Sequence, residues 1–185
     1  MQIENSVIVI TGAAQGLGQS MALYLAQKHA KLALIDLDAD KLATTQTLCE
    51  QAGSPKVQYY LCNVAKEADV EETFQTIGTD FGALNALVNN AGILRDKSFS
   101  KMTLDDFDMV VNVHLMGAAY CAHAVWPIMR EQNYGRILMT TSPSGLYGNF
   151  GQTNYSCAKS GVIGYVEAMS KQLKDGITIN AIAPG

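Results

Sequence analysis

Cysteine is scarce and unpaired by spacing: Cys49, Cys62, Cys121 and Cys157 form no CxxC pair and join no Cys/His cluster at metal-ligand spacing. That pattern gives no disulfide framework and no metal site, and it reads as reduced thiols in a cytoplasmic protein. Basic residues are also short. Thirteen Lys and Arg against 17 Asp and Glu leave a net charge of −4, without the basic run that nucleic acid or an anionic membrane surface would need. No stretch approaches the roughly 18 uninterrupted apolar residues of a membrane span. Met1-Gln2-Ile3-Glu4-Asn5 lacks the positive start of a signal peptide. No internal linker, repeat or low-complexity tract divides the chain. The partners left by these absences are small molecules and further copies of the same chain.

What is present is an ordinary globular balance, 48% apolar and 16% charged over 185 residues, enough for a single domain spanning 1–185 with one core. Strand and helix signals alternate along it. Ser6–Thr11, Lys31–Asp36, Val57–Cys62, Leu84–Asn89, Gly135–Ser142 and Ile177–Ile182 read as strands. Between them Leu17–Lys28, Ala39–Ala52, Lys66–Phe81 and Gln152–Leu173 repeat apolar residues at helical spacing. Thr103-Leu104-Asp105-Asp106 opens a further helix through about Glu131, with Pro127 expected to kink it. Strict alternation predicts an α/β fold: a Rossmann-like, doubly wound parallel sheet of six strands in three α/β/α layers. Ligands of such sheets sit beyond the carboxyl ends of the strands, where strand order reverses.

Thr11-Gly12-Ala13-Ala14-Gln15-Gly16-Leu17-Gly18 falls between the first strand and the first helix. Gly12 permits a sharp turn, Gly16 close approach of a pyrophosphate, and Gly18 close helix packing, with the helix N-terminus facing the anion. Gln15 and Leu17 complete the loop. A bare glycine pattern also suits any tight turn, but Asp36 ends the second strand at the distance expected of a ribose-binding carboxylate. That acid favours NAD over NADP, since it would repel a 2′-phosphate. Gln15 and Leu37 stand where a phosphate-binding cation would be expected, and neither carries charge.

The glycine loop, Asn89-Asn90-Ala91-Gly92, Ser142, Tyr155 with Lys159 four residues later, and Pro184-Gly185 occur in the order and spacing of the short-chain dehydrogenase/reductases, which the chain resembles over nearly its whole length. Gly92–Asp96 and Ser144–Gln152 look like the branch acting on 3-hydroxyacyl or 3-oxoacyl thioesters, which includes 3-oxoacyl-ACP reductases and the dehydrogenase units of β-oxidation multifunctional enzymes. The resemblance implies cofactor contacts at Asn63, Val64, Asn90, Ala91, Gly92, Pro184 and Gly185, and a homo-oligomer, dimer or tetramer, built through helices 103–131 and 152–174. It also implies a seventh strand and a substrate lid beyond Gly185, so the chain is expected to be truncated. Two residues depart from the family pattern. His114 stands where the family's tetrad has asparagine, with Asn112 on another helical face, and Asn63 replaces an acid after the third strand.

By the same resemblance Tyr155 is the acid/base, Ser142 holds the substrate oxygen, and Lys159 bonds the nicotinamide ribose and acidifies the phenol. Lowering a tyrosine pKa from about 10 to about 7 takes ~4 kcal/mol. An ammonium ~4 Å away supplies ~1 kcal/mol in water but ~4 kcal/mol at an effective dielectric near 20. The lysine therefore suffices only in a dehydrated pocket. His114 is expected to line the helix behind the site, joining a water network without changing protonation. Cys157 is expected to point elsewhere on its helix. The leading function is NAD(H)-dependent interconversion of a secondary alcohol and a ketone on acyl-thioester substrates. The alternatives are another small alcohol, polyol or steroid, or a non-catalytic NAD(H) sensor.

Overall fold

The computed structural model describes residues 2–173 and 176–184. Aliphatic and β-branched side chains fill short runs that suit a pleated surface covered on both sides. These runs are β1 (Val7–Thr11), β2 (Lys31–Asp36), β3 (Val57–Leu61), β4 (Ala86–Asn89), β5 (Gly135–Thr140) and β6 (Ile177–Ile182), which form one parallel sheet in the order β3-β2-β1-β4-β5-β6. Alternate residues of β1 serve opposite faces. Ile8 and Ile10 pack with Ala22 and Ala26 of α1 (Gly16–Ala26) and Leu42 of α2 (Ala39–Gln51). Val7 and Val9 belong to the core on the other face, with Phe74 and Ile77 of α3 (Glu67–Phe81), Val125 of the long helix and Val162 of α7 (Thr153–Ser170). The expected three layers are therefore present. Beside α1 runs an apolar groove of about 510 Å³, lined by Met21, Tyr24 and Leu25 on the helix side and by Val88, Leu138 and Thr178 on β4, β5 and β6.

Strand order reverses between β1 and β4, so the glycine loop after β1 and the Asn89–Gly92 segment after β4 meet at one edge. Two elements differ from the sequence expectation. The long helix is α4 (Leu104–Val111), a π-helical segment Asn112–Met116, and α5 (Gly117–Gln132). Its irregularity falls at His114 and not at Pro127. A π turn holds one extra residue, and this one brings His114 into contact with the segment after β4. At its start Thr103 Oγ1 accepts from the Asp106 backbone N–H (3.1 Å) and donates to Asp106 Oδ2 (2.8 Å). By length and composition the 29 residues Leu104–Gln132 could cross a bilayer, but they pack on α3 and α7. The second difference is Ser142. It was expected to close a strand, whereas β5 stops at Thr140 and Ser142 caps a five-residue helix α6 (Pro143–Tyr147).

Candidate active site

The glycine loop is shaped by contacts that only glycine allows. A Cβ on Gly18 would lie 2.0 Å from the Gly12 carbonyl oxygen, so α1 can start this close to β1 only without a side chain there. Gly12 and Gly16 have φ of +68° and +59°, the left-handed region; the space beside Gly16 is open, as the approach of a ligand requires. Across the switch point, Asn90 Nδ2 donates to the Thr11 and Gly12 carbonyls at 3.1 and 3.3 Å, and Thr11 Oγ1 accepts from the Asn90 and Ala91 backbone N–H groups at 3.0 Å each. Asn90 thus fastens the loop to β4 by its side chain. Asp36 is oriented by backbone: Oδ2 accepts from Ala14 N (3.1 Å) and Oδ1 from Leu37 N (2.7 Å).

A cavity of about 110 Å³ opens between these elements, lined among others by Gly12, Asp36, Asn63, Val64, Ala91 and Gly92. Six residues expected at the cofactor therefore share one hollow. Asn63 lines it, and its Oδ1 accepts from Ala65 N (3.1 Å), while among the described residues its amide N–H groups have no partner. Gln15 precedes α1 without capping it, and Leu17 is 49% exposed; both stand outside that hollow. Pro184 is exposed just past β6, and Gly185 lies outside the described residues. The hollow, the left-handed glycines and the oriented carboxylate fit a dinucleotide. Among the described residues no three His, Cys, Asp or Glu side chains gather as metal ligands.

Tyr155, Lys159 and His114 meet at the same edge. Lys159 is 3% exposed, lies over the Tyr155 ring 5.6 Å from its centroid, and donates to the Thr140 carbonyl at 2.6 Å. Among the described residues no carboxylate pairs with it, and burial brings its pKa down to about 8. The dehydrated pocket that the lysine needs is therefore present. Ser142 Oγ accepts from Ser144 N at 3.2 Å as the cap of α6. A Cβ on Gly145 would lie 2.8 Å from Lys159, so the turn of α6 rests directly on the lysine's own helix. The Ser160 hydroxyl donates to the Gly145 carbonyl and Thr141 Oγ1 to that of Lys159 (2.9 Å).

His114 was expected behind the site, but its ring meets that of Tyr155 edge to face, centroids 5.1 Å apart at 88°. Burial first, then the nearby Lys159 charge, hold its pKa down to about 4 against the pull of Ile93. A pKa that low favours the neutral ring near pH 7. Cys157 is exposed, on the side of α7 away from these rings.

Sequence reasoning missed several supports. Asn154 is fully buried and donates to the Arg95 and Asp106 carbonyls, both at 3.2 Å, tying α7 to the loop after β4 and to α4. Gln152 bonds Asp96 (2.8 Å), and Lys97 N donates to the Gly151 carbonyl (2.9 Å), joining the 93–98 and 148–152 loops. Nothing in the sequence marks an asparagine in a first helical turn as buried; only the pairing of distant loops does.

A family model described as short chain dehydrogenase matches residues 6–185. The chain is 40% identical over 198 residues to the peroxisomal hydratase-dehydrogenase-epimerase of Saccharomyces cerevisiae, covering 100% of this chain and 21% of that protein. It is 38% identical over 187 residues to the 3-oxoacyl-[acyl-carrier-protein] reductase of Thermotoga maritima, covering 100% of this chain and 75% of that one. The crystal structure of levodione reductase superposes with a TM-score of 0.95 at 34% identity, over 98% of this chain and 72% of that one. The chain thus spans about a fifth of the yeast protein and about three quarters of the bacterial reductase.

Proposed function

The chain belongs to the short-chain dehydrogenase family, and from that premise we propose that it interconverts a secondary alcohol and a ketone with NAD(H), on 3-hydroxyacyl and 3-oxoacyl thioesters. The observation that carries this reading is the buried Lys159 beneath the Tyr155 ring, without a carboxylate partner among the described residues and lining one hollow with Thr11, Asn89 and Ala91 of the switch point. The nicotinamide, when bound, accepts or supplies the hydride. Tyr155 takes the alcohol proton in oxidation and returns one to the carbonyl oxygen in reduction. Lys159 uses one donor on Thr140 and keeps two for the cofactor ribose and for the phenolate it stabilises. Ser142, held at the start of α6, donates its hydroxyl hydrogen to the substrate oxygen while its Oγ accepts from Ser144.

Asp36 selects NAD over NADP by charge: its carboxylate lines the hollow, held by the Ala14 and Leu37 backbone N–H groups, and would repel a 2′-phosphate. The thioester preference rests on exposed apolar side chains: Leu94 (60%) and Phe150 (90%) on the two joined loops, and Leu146 (56%) and Tyr147 (86%) at the end of α6. An acyl chain suits these side chains better than a polyol does. The names of the yeast and Thermotoga relatives point the same way. A homo-oligomer is favoured by the helix Leu104–Gln132, whose most apolar stretch is only one-third buried. The free thiols favour a reducing compartment such as the cytoplasm. The test is reduction of acetoacetyl-CoA by NADH, with NADPH and a panel of sugar, polyol and steroid ketones in parallel. Turnover fastest with acetoacetyl-CoA and NADH supports the reading; faster turnover of a polyol or steroid ketone, or NADH binding without any turnover, overturns it.

A further inference from the structure

Thr45 stands where an apolar side chain would be expected. On α2 it shares the buried stripe of Leu42 and Cys49, and its own exposure is 0%. A hydroxyl taken out of water needs partners or it costs stability. It finds them on α1 and in the glycine loop. Gln19 Nε2 donates to Thr45 Oγ1 at 2.8 Å, and the threonine hydroxyl in turn donates to the Ala14 carbonyl at 3.3 Å. The Gln19 amide has a second hydrogen, which reaches the same carbonyl at 3.4 Å. The two longer contacts are those of one acceptor shared by two donors. A valine would fill the space at Thr45 equally well and could make neither of its two bonds.

Ala14 is the loop residue that meets Asp36. Its backbone N–H donates to Asp36 Oδ2 at 3.1 Å, and among the described residues that oxygen has no other donor. Oδ1 is served within its own turn, by Leu37 N at 2.7 Å and Asp38 N at 3.4 Å. Bonds to Oδ1 alone leave the carboxylate free to rotate about its last torsion, which is broad for aspartate. The bond from Ala14 fixes that rotation. On the sheet side the loop is anchored by Ala13 N on the Ile35 carbonyl at 3.1 Å. On the helix side the anchor is the grip of Thr45 and Gln19 on the Ala14 carbonyl. Gln15, one residue on, is already exposed.

We propose that Thr45, seconded by Gln19, is a positioning residue for the cofactor: by gripping the Ala14 carbonyl it keeps the Ala14 N–H on Asp36, and so sets the carboxylate that receives the adenosine ribose hydroxyls. The inference rests on the reading of Asp36 as that ribose acceptor. Thr45 has no exposed surface, so it touches no ligand and acts only through the loop. The buried face of α2 thereby takes part in dinucleotide binding from behind the residues that make the contact.

NADH affinity, read by fluorescence titration in a double-mutant cycle with Asp36, is the test. Thr45→Val should weaken NADH binding about fivefold, the worth of one neutral hydrogen bond, with kcat at saturating NADH unchanged. Thr45→Ser, which restores the hydroxyl, should bind close to the natural chain. On an Asp36→Ala background Thr45→Val should have no further effect, a coupling that loosened helix packing would not produce. Should Thr45→Val fail to fold by circular dichroism, Gln19→Met removes two of the three bonds from a half-buried position and carries the same two expectations. Unchanged affinity with Asp36 present, an equal loss on both backgrounds, or a loss in Thr45→Ser equal to that in Thr45→Val overturns the proposal and leaves Asp36 as the ribose acceptor. An Asp36→Ala protein that binds NADH as tightly as the natural chain overturns that reading, and the proposal with it. The titrations need no turnover, so their outcome is independent of the substrate assigned.

Discussion

Lys159 is placed for chemistry at a cost to the fold. A buried ammonium with a carbonyl partner at 2.6 Å and, among the described residues, no carboxylate loses its hydration without full repayment. The pKa depression from 10.5 to about 8 amounts to ~3 kcal/mol in favour of the neutral amine, and the Thr140 bond offsets ~1 kcal/mol of what its removal would gain. Lys159→Met should therefore abolish turnover while raising stability at pH 7 by ~2 kcal/mol, or roughly 4–8 °C in Tm for a chain of this size. Thermal unfolding without cofactor reads it; a lower Tm would contradict the placement. Tyr155→Phe isolates the proton step, with NADH affinity kept and kcat reduced at least about 100-fold in stopped-flow and steady-state assays. The spacing of Tyr155 and Lys159 was legible because four residues is one helical turn. The contact of His114 with Tyr155 was not, because a regular helix puts residue 114 on a different face than a π turn does.

At the scale of elements, the β1–α1 turn and the π segment do the positioning. Gly18→Ala drives a methyl into the Gly12 carbonyl at 2.0 Å, so α1 must move away from the loop that receives the pyrophosphate. NADH binding measured by fluorescence should be lost while far-ultraviolet circular dichroism shows retained secondary structure; unchanged affinity would mean the loop tolerates the shift. The glycine pattern could be read from sequence because each glycine answers a steric demand local to the turn. Helix α6 could not be read, since five residues carry too little periodicity, and its position depends on the meeting of Gly145 with Lys159. The same holds for Asn90. Its motif was recognisable, but its bonds to Thr11 and Gly12 span a sequence separation of nearly 80 residues.

For the whole molecule, the two buried bases make stability rise with pH in two windows. The unfolded chain binds the His114 proton below 6.5, whereas the folded one does so only near 4. The His114 contribution is thus complete above pH 6.5, and stability falls by up to ~3 kcal/mol as pH drops to about 4. Between pH 8 and 10.5 the unfolded chain still holds the Lys159 proton that the fold has released, and stability rises again. Urea midpoints across pH 4–7 should decline more steeply for the natural chain than for His114→Asn; parallel curves would remove His114 as the cause. Alternation alone made the layered sheet legible, since each strand and helix announces its period locally. The groove beside α1 was less so. Thr178 and Asn180 on β6 interrupt a run that otherwise reads as fully apolar, and they mark the face that α1 does not cover.

The lashing of Thr11 and Gly12 to Asn90 and Ala91 means that the two halves of the sheet are locked in register before any dinucleotide arrives. The entropy of arranging the receiving edge is spent during folding. Little of a cofactor's association energy is then diverted into ordering its host, and more of it remains for discriminating one nucleotide from another.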